Sequence, residues 1–159
     1  MNIATKNNND IQQGPILVAA DFSENSMKAV KWAIDLATAI NATVVLIHIV
    51  HDRAEGPGYY KHEKIDAMRP MEDVAEKMMQ QFMEKLTEKH PSCKAFKNLE
   101  TSIVTGLPVS RILETAENID AKLIVMGSQG LTGLKHLLIG SKAEQVVRLA
   151  NIPVTIVKN

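Results

Sequence analysis

The sequence predicts an α/β fold in which helices cover both faces of a parallel sheet. Residues 16–20 and 43–50 form continuous apolar runs, which are typical of strands buried on both faces. Segments with apolar residues at helical spacing separate such runs from one another. The composition does not change abruptly along the chain and no segment is repeated. The alternating strands and helices are therefore predicted to form one domain.

The first 50 residues indicate a strand–helix–strand unit, which is right-handed in nearly all known cases. Ser23 is placed to cap the helix and Asn41 to end it. Trp32 borders the apolar face, where we expect it to pack rather than to hold a ligand. The residues predicted to form that face are Ala29, Val30, Ala33, Leu36, Ala37 and Ile40.

Residues 51–69 predict a long connection between the second strand and the second helix. Pro70 suits the first turn of that helix, and His90-Pro91 ends it. Its predicted apolar face consists of Met71, Val74, Ala75, Met78, Phe82 and Leu86.

Three strands and two helices are predicted in the remaining chain. Residues 94–104 alternate weakly, as an edge strand does, and Pro108 opens the third helix with Val109, Ile112, Leu113 and Ala116 on its face. Residues 121–126 form the fourth strand. The last helix carries Val146, Val147 and Ala150, and the apolar run from Ile152 to Val157 forms the fifth strand.

Composition excludes several classes of protein. Eighteen basic residues balance eighteen acidic ones, so no overall field favours nucleic acid or an anionic membrane. The lone Cys93 excludes an internal disulfide, and no apolar run approaches the roughly 20 residues of a membrane helix. The polar residues 1–14 predict a disordered tail before a domain of residues 15–159. We therefore expect a cytoplasmic protein that binds neither nucleic acid nor membrane.

A glycine-rich stretch follows the fourth strand, and such a turn lets a backbone approach phosphate oxygens. Gly140 precedes Ser141-Lys142 in the wrong order for a Walker loop, and the spacing from Gly127 to Gly130 differs from the dinucleotide fingerprint. Ligands bind beyond the carboxyl ends of parallel strands. If the first and fourth strands are neighbours, Asp21 faces the glycines and can accept hydrogen bonds from ribose hydroxyls.

Ser141 opens the last helix, whose N–H groups and dipole favour an anion. Together with Glu144 it also fits a capping box, in which the serine caps its own helix. The two roles are compatible, and glycines are also ordinary turn residues. The residues themselves thus leave open both a phosphate site and a plain turn.

The spacing of this stretch carries a resemblance to a known family. Gly127-Ser128-Gln129-Gly130, nine further residues and Gly140-Ser141 match the G-x₂-G-x₉-G-[ST] signature of the universal stress proteins. The resemblance extends from about Pro15 to Lys158 and indicates a single-domain member of the ATP-binding branch. Further agreement lies in Asp21-Phe22-Ser23, Leu46-Ile47-His48 and Ile152-Pro153-Val154.

The resemblance implies a five-stranded parallel sheet in the order 3-2-1-4-5. It places Asp21 at the ribose and Val44 at the adenine. It also implies a homodimer formed by pairing of the last strands, from Ile152 to Val157. The residues that it places around the phosphates are Met126, Gly127, Gly130, Gly140 and Ser141.

Three residues depart from the family pattern. Ala19 stands where a proline is frequent, and Lys142-Ala143 replaces an apolar residue followed by a hydroxyl. Lys142 could add a charge-assisted phosphate contact, while the missing hydroxyl removes one. The resemblance thus leaves ATP and AMP open as the nucleotide, with Mg²⁺ as a candidate accompanying ion.

The resemblance implies a nucleotide-binding regulator of the stress response, whose occupancy changes how an unidentified partner protein binds. A slow ATPase or phosphotransfer protein and a nucleotide-free dimeric scaffold are the alternatives. The sequence suggests no catalytic residue set and no metal ligands. We expect His48, inside a buried strand, to serve packing.

Overall fold

The computed structural model describes residues 14–51, 71–129 and 139–158, apart from the side chains of residues 97 and 98. The strands and helices, in chain order, are β1 (Ile16–Ala19), α1 (Glu24–Ile40), β2 (Val44–Val50), α2 (Met71–Lys89), β3 (Glu100–Thr105), α3 (Pro108–Asn118), β4 (Leu123–Gly127), α4 (Ser141–Leu149) and β5 (Val154–Val157).

The strands form one parallel sheet in the order β3-β2-β1-β4-β5. This confirms the predicted fold class and strand order. Ala19 of β1 lies opposite Ile47 of β2 and Met126 of β4. Because β1 and β4 are neighbours, their carboxyl ends lie side by side, as the prediction for Asp21 and the glycines required.

Helices cover both faces of the sheet, which explains the continuous apolar runs. One apolar cluster joins α1 and α2 to strand residues such as Val18 and Leu46. The other joins α3 and α4 to their neighbours Leu17 and Ile47. Since successive side chains of a strand point to opposite faces, neighbours such as Leu17 and Val18 enter different clusters.

Both predicted ends of α1 are confirmed. The Ser23 hydroxyl accepts a hydrogen bond from the N–H of Ser26, and Asn41 ends the helix with a left-handed φ of 55°. Most of the predicted face is buried, namely Ala29, Val30, Ala33 and Ala37, and Met27 and Ile34 extend it. Ile40 is 47% exposed, which the prediction missed, and Trp32, 39% exposed, borders the face as expected.

Other boundaries and faces also shift. Met79, rather than Met78, is buried on α2. A 3₁₀ turn, Lys94–Asn98, takes the first half of the predicted third strand, so β3 is short and largely exposed at the sheet edge. On α4, Val147 is exposed and Ala143 is buried.

Some predicted features lie outside the described residues. They are the tail of residues 1–13, the connection of residues 52–69 and the helix-starting Pro70. None of the helices in the described ranges combines the length and apolarity needed to cross a membrane.

Candidate functional site

Asp21 lies just beyond the carboxyl end of β1, at the edge where β1 and β4 adjoin. Its side chain is half-buried, and Oδ1 accepts a hydrogen bond from the N–H of Ser23 at 3.1 Å. Such a bond from a residue two positions on is typical of an Asx turn. The same carboxylate that was expected at a ribose therefore also shapes the turn into α1.

Phe22, at the centre of this turn, has a φ of 65°, which is uncommon for a bulky side chain. Its ring stacks on His48, with centroids 4.1 Å apart and planes inclined by 26°. His48 is 1% exposed, in line with the packing role expected for it. The structure adds a polar contact: Nδ1 lies 2.8 Å from the carbonyl oxygen of Ala20. Because a carbonyl only accepts, Nδ1 carries the proton.

Burial lowers the pKa of His48 below its ordinary value of 6.5. Desolvation outweighs two opposing effects, the hydrogen bond to the Ala20 carbonyl and the charge of Asp21, which both raise this pKa. The imidazole is therefore neutral near pH 7, with its proton on the nitrogen that faces Ala20.

Gly127 ends β4 directly against the first turn of α1. A Cβ at this position would lie 3.0 Å from the carbonyl carbon of Asn25 and 3.1 Å from its Cβ. The Asn25 amide in turn donates a hydrogen bond to the carbonyl oxygen of Gln129 at 3.1 Å. Close packing of α1 on β4 thus accounts for glycine at residue 127 without a ligand.

Gly140 is in a different situation. Its φ of −68° suits any residue, and among the described residues a Cβ would meet only Ser128 O at 3.6 Å and Gln129 Cα at 3.9 Å. Its N–H donates to the Ser128 carbonyl at 2.7 Å, which joins the two ends of the glycine-rich stretch. Within the described part of the chain, neither backbone conformation nor packing requires a glycine here.

The predicted capping box at α4 is wrong. Gly140 is the N-cap, Ser141 is the first helical residue, and Glu144 donates its N–H to the Gly140 carbonyl at 2.9 Å. The N–H groups of residues 141–143 have no acceptor within the helix, because the carbonyls they would need precede it. The side chains of Ser141 and Lys142 are exposed beside these donors. This arrangement favours an anion.

The register separates Val44 from the other candidate residues. Val44 pairs with Ile16 at the amino end of β2, whereas Asp21 follows the carboxyl end of β1. Three residues of strand, about 10 Å, lie between Val44 and the level of Ala19. The structure therefore does not bring Val44 to this edge. Gly130 lies outside the described residues.

Ile49 was missed by the sequence interpretation. It lies two residues beyond Ile47, the partner of Ala19, and belongs to the same apolar cluster as Ala19 and Met126. These three side chains line one sheet face near the carboxyl edge. Counting back from the end of β2, rather than forward from its start, would have identified Ile49.

The arrangement can bind a ligand with three chemical parts. Asp21 offers a hydrogen-bond acceptor, the first turn of α4 offers donors to an anion, and Ala19, Ile49 and Met126 offer an apolar surface. Among the residues that the structure describes, no group of three or more His, Cys, Asp or Glu side chains could hold a metal ion.

The comparisons with known proteins agree with this geometry. The model of the universal stress protein family matches residues 14–158. The chain belongs to the universal stress protein family. A curated relative, universal stress protein MJ0531 of Methanocaldococcus jannaschii, is 33% identical over 144 residues, which cover 90% of this chain and 81% of the relative.

Solved structures of universal stress proteins share the fold. UspA of Lactobacillus plantarum superposes with a TM-score of 0.70 at 25% identity, covering 91% of this chain and 97% of that protein. A second universal stress protein, solved in complex with cAMP, has a TM-score of 0.63 at 25% identity, with coverages of 91% and 96%.

Proposed function

We propose that this member of the family is an adenine-nucleotide-binding regulator of the stress response. One observation carries the proposal: the Asp21 carboxylate and the stretch from Gly127 to the start of α4 leave neighbouring parallel strands at the same edge. Ligands of open α/β sheets bind at such an edge. The relative solved with cAMP supports an adenine nucleotide as the ligand class.

Each part of the nucleotide has a partner in this proposal. Asp21 accepts hydrogen bonds from the ribose hydroxyls, as acidic residues do in dinucleotide sites. Ala19, Ile49 and Met126 supply the apolar surface against the adenine, with Ile49 replacing Val44 because of the register. These residues therefore recognise the base and the sugar of the nucleotide.

The phosphates lie at the start of α4. The N–H groups of residues 141–143 and the Ser141 hydroxyl donate to phosphate oxygens, and Gly140 allows the close approach. Gly127 and Gly130 belong to the same glycine-rich stretch. Gly127 contributes by letting β4 pack closely against Asn25 of α1. Lys142 adds a positive charge beside these donors.

ATP and AMP both satisfy these contacts, since they share the base, the ribose and the first phosphate. We assign no protein ligand to an accompanying Mg²⁺, which would be coordinated by phosphate oxygens and water. Occupancy of the site changes the surface presented to a partner protein by favouring one conformation over another. We propose that this switch operates in the cytoplasm.

The test is a calorimetric titration of the purified protein with ATP and AMP, with GTP as the control for base recognition. We expect saturable binding of an adenine nucleotide and weaker binding of GTP. The Asp21→Asn variant, which keeps the shape but not the charge, should bind more weakly. A protein that binds neither ATP nor AMP would contradict the proposal, and rapid release of ADP would favour the ATPase alternative.

We also propose that β5 pairs with β5 of a second copy. β5 lies at the edge of the described sheet, and its pairing with β4 uses the carbonyls of Pro153 and Val157. Backbone groups alternate in direction along a strand, so those of Val154 and Ile156 face the open edge.

Light scattering tests this assembly. We expect a mass of twice the 17.5 kDa of one chain. The Ile156→Pro variant removes an outward N–H group and should shift the mass toward one chain. A mass of one chain for the unaltered protein across the micromolar range would contradict the dimer.

A further inference from the structure

Three aromatic rings lie behind the turn that carries Asp21. Phe22 stacks on His48, and the centroid of its ring is 5.6 Å from that of Phe82 on α2. The left-handed conformation of Phe22 is uncommon, and such conformations persist only where surrounding contacts over-determine them. The turn is therefore held by contacts from β2 and α2, outside its own segment.

The hydrogen bond of His48 lies where β1 leaves the sheet. The N–H of Ala20 still donates to Ile47 at 2.9 Å, but the paired residues of β1 end at Ala19. The Ala20 carbonyl, in a residue that is 5% exposed, accepts from Nδ1 of His48 at 2.8 Å. A buried carbonyl needs a donor, and an apolar residue at position 48 would supply none.

Both neighbours of Asp21 are therefore in contact with one side chain. His48 binds the carbonyl before Asp21 and stacks on the ring after it. The carboxylate itself is oriented by the N–H of Ser23. These contacts hold the backbone on both sides of Asp21 and one oxygen of its carboxylate.

We propose that His48 is a positioning residue of the nucleotide site, which presents the Asp21 carboxylate to the ribose through its hydrogen bond to Ala20 and its stacking on Phe22. The inference rests on the proposed function and deepens it. His48 acts through Asp21 and does not contact the nucleotide.

Two substitutions separate the hydrogen bond from the ring. His48→Phe keeps a ring for Phe22 but leaves the Ala20 carbonyl without its donor. His48→Asn keeps an N–H donor near the place of Nδ1 but has no ring. Ile16→Ala is the control, because Ile16 is buried at the amino end of β1, away from the carboxyl edge that carries Asp21, and its truncation lowers stability without touching the turn.

The measurements are calorimetric titrations with ATP and thermal unfolding of each variant. We expect the Kd to rise by about tenfold or more in His48→Phe and to stay within about threefold in His48→Asn. Ile16→Ala should lower the Tm with an unchanged Kd. In His48→Phe the amide of Ser23 should also exchange faster with solvent deuterium, since its acceptor is no longer held.

If His48→Phe does not fold, His48→Gln takes its place, because its amide is displaced by one methylene from the position of Nδ1. Two outcomes would overturn this inference and leave the proposed function intact. One is equal Kd values for ATP in the unaltered protein and His48→Phe; the other is an equal loss of ATP affinity in His48→Asn and His48→Gln. Absence of ATP binding by the unaltered protein would overturn the proposed function, and the inference with it.

Discussion

Two glycines of the same motif, Gly127 and Gly140, have different physical reasons to be glycine. A side chain on Gly127 would collide with the backbone of Asn25, whereas one on Gly140 would make ordinary contacts with the protein. Gly127 is therefore explained by the packing of α1 on β4. Gly140 is under no such constraint from the described residues, which fits its proposed place beside the phosphates.

Substituting serine at each position tests this difference. We expect Gly127→Ser to lower the free energy of unfolding by about 1–3 kcal/mol, because the helix must shift away from the strand. Gly140→Ser should leave it unchanged or raise it by a few tenths of a kcal/mol, since serine is a slightly better N-cap than glycine. It should nevertheless raise the Kd for ATP by roughly tenfold.

Urea unfolding and calorimetry measure the two effects separately. A stability loss in Gly140→Ser as large as that in Gly127→Ser would contradict the distinction drawn from the Cβ distances. Unchanged ATP affinity in Gly140→Ser would remove Gly140 from the phosphate site.

Among the elements, α4 shows that moving the N-cap by one residue changes the role of a side chain. The sequence fits a cap by Ser141, but the helix begins at Ser141 itself and Gly140 is the N-cap. Ser141 is exposed at the first turn of a helix whose leading N–H groups have no helical acceptor. Its hydroxyl is therefore available to a ligand rather than used for capping.

Ser141→Ala should accordingly separate binding from stability. We expect the free energy of unfolding to change by no more than about 0.5 kcal/mol, because alanine favours the helix and no cap is lost. The Kd for ATP should rise, since one phosphate donor is removed. A stability loss on the order of 1 kcal/mol in urea unfolding would instead indicate that Ser141 caps the helix in solution.

At the scale of the whole molecule, the buried imidazole of His48 makes the stability of the fold depend on pH. Its pKa is lowered from 6.5 in the folded chain, chiefly by burial, so the unfolded chain binds more protons as the pH falls. The free energy of unfolding should therefore be fully maintained above the unfolded pKa and decrease as the pH falls below about 6.5.

Urea unfolding between pH 7.5 and 5.5 measures this dependence, with His48→Asn as the control because asparagine does not titrate. We expect a smaller decrease in the variant than in the unaltered protein. Parallel curves for the two proteins would show that another group is responsible.

Features that depend on neighbouring residues could be predicted from the sequence. Continuous apolar runs predicted strands buried on both faces, and Ser23 and Asn41 predicted the ends of α1, because caps and periodicity act over a few residues. With the family signature, these features were enough for the sheet order.

Contacts between residues far apart in the chain could not be predicted from the sequence. The fold sets Gly127 against Asn25, joins His48 to Ala20, and places Ile49 rather than Val44 near the carboxyl edge through the strand register. Such contacts link segments far apart in the chain, and a shift of register moves a side chain along the sheet without changing any local pattern. The roles of individual site residues therefore depend on packing between elements, whereas the elements themselves depend on local sequence.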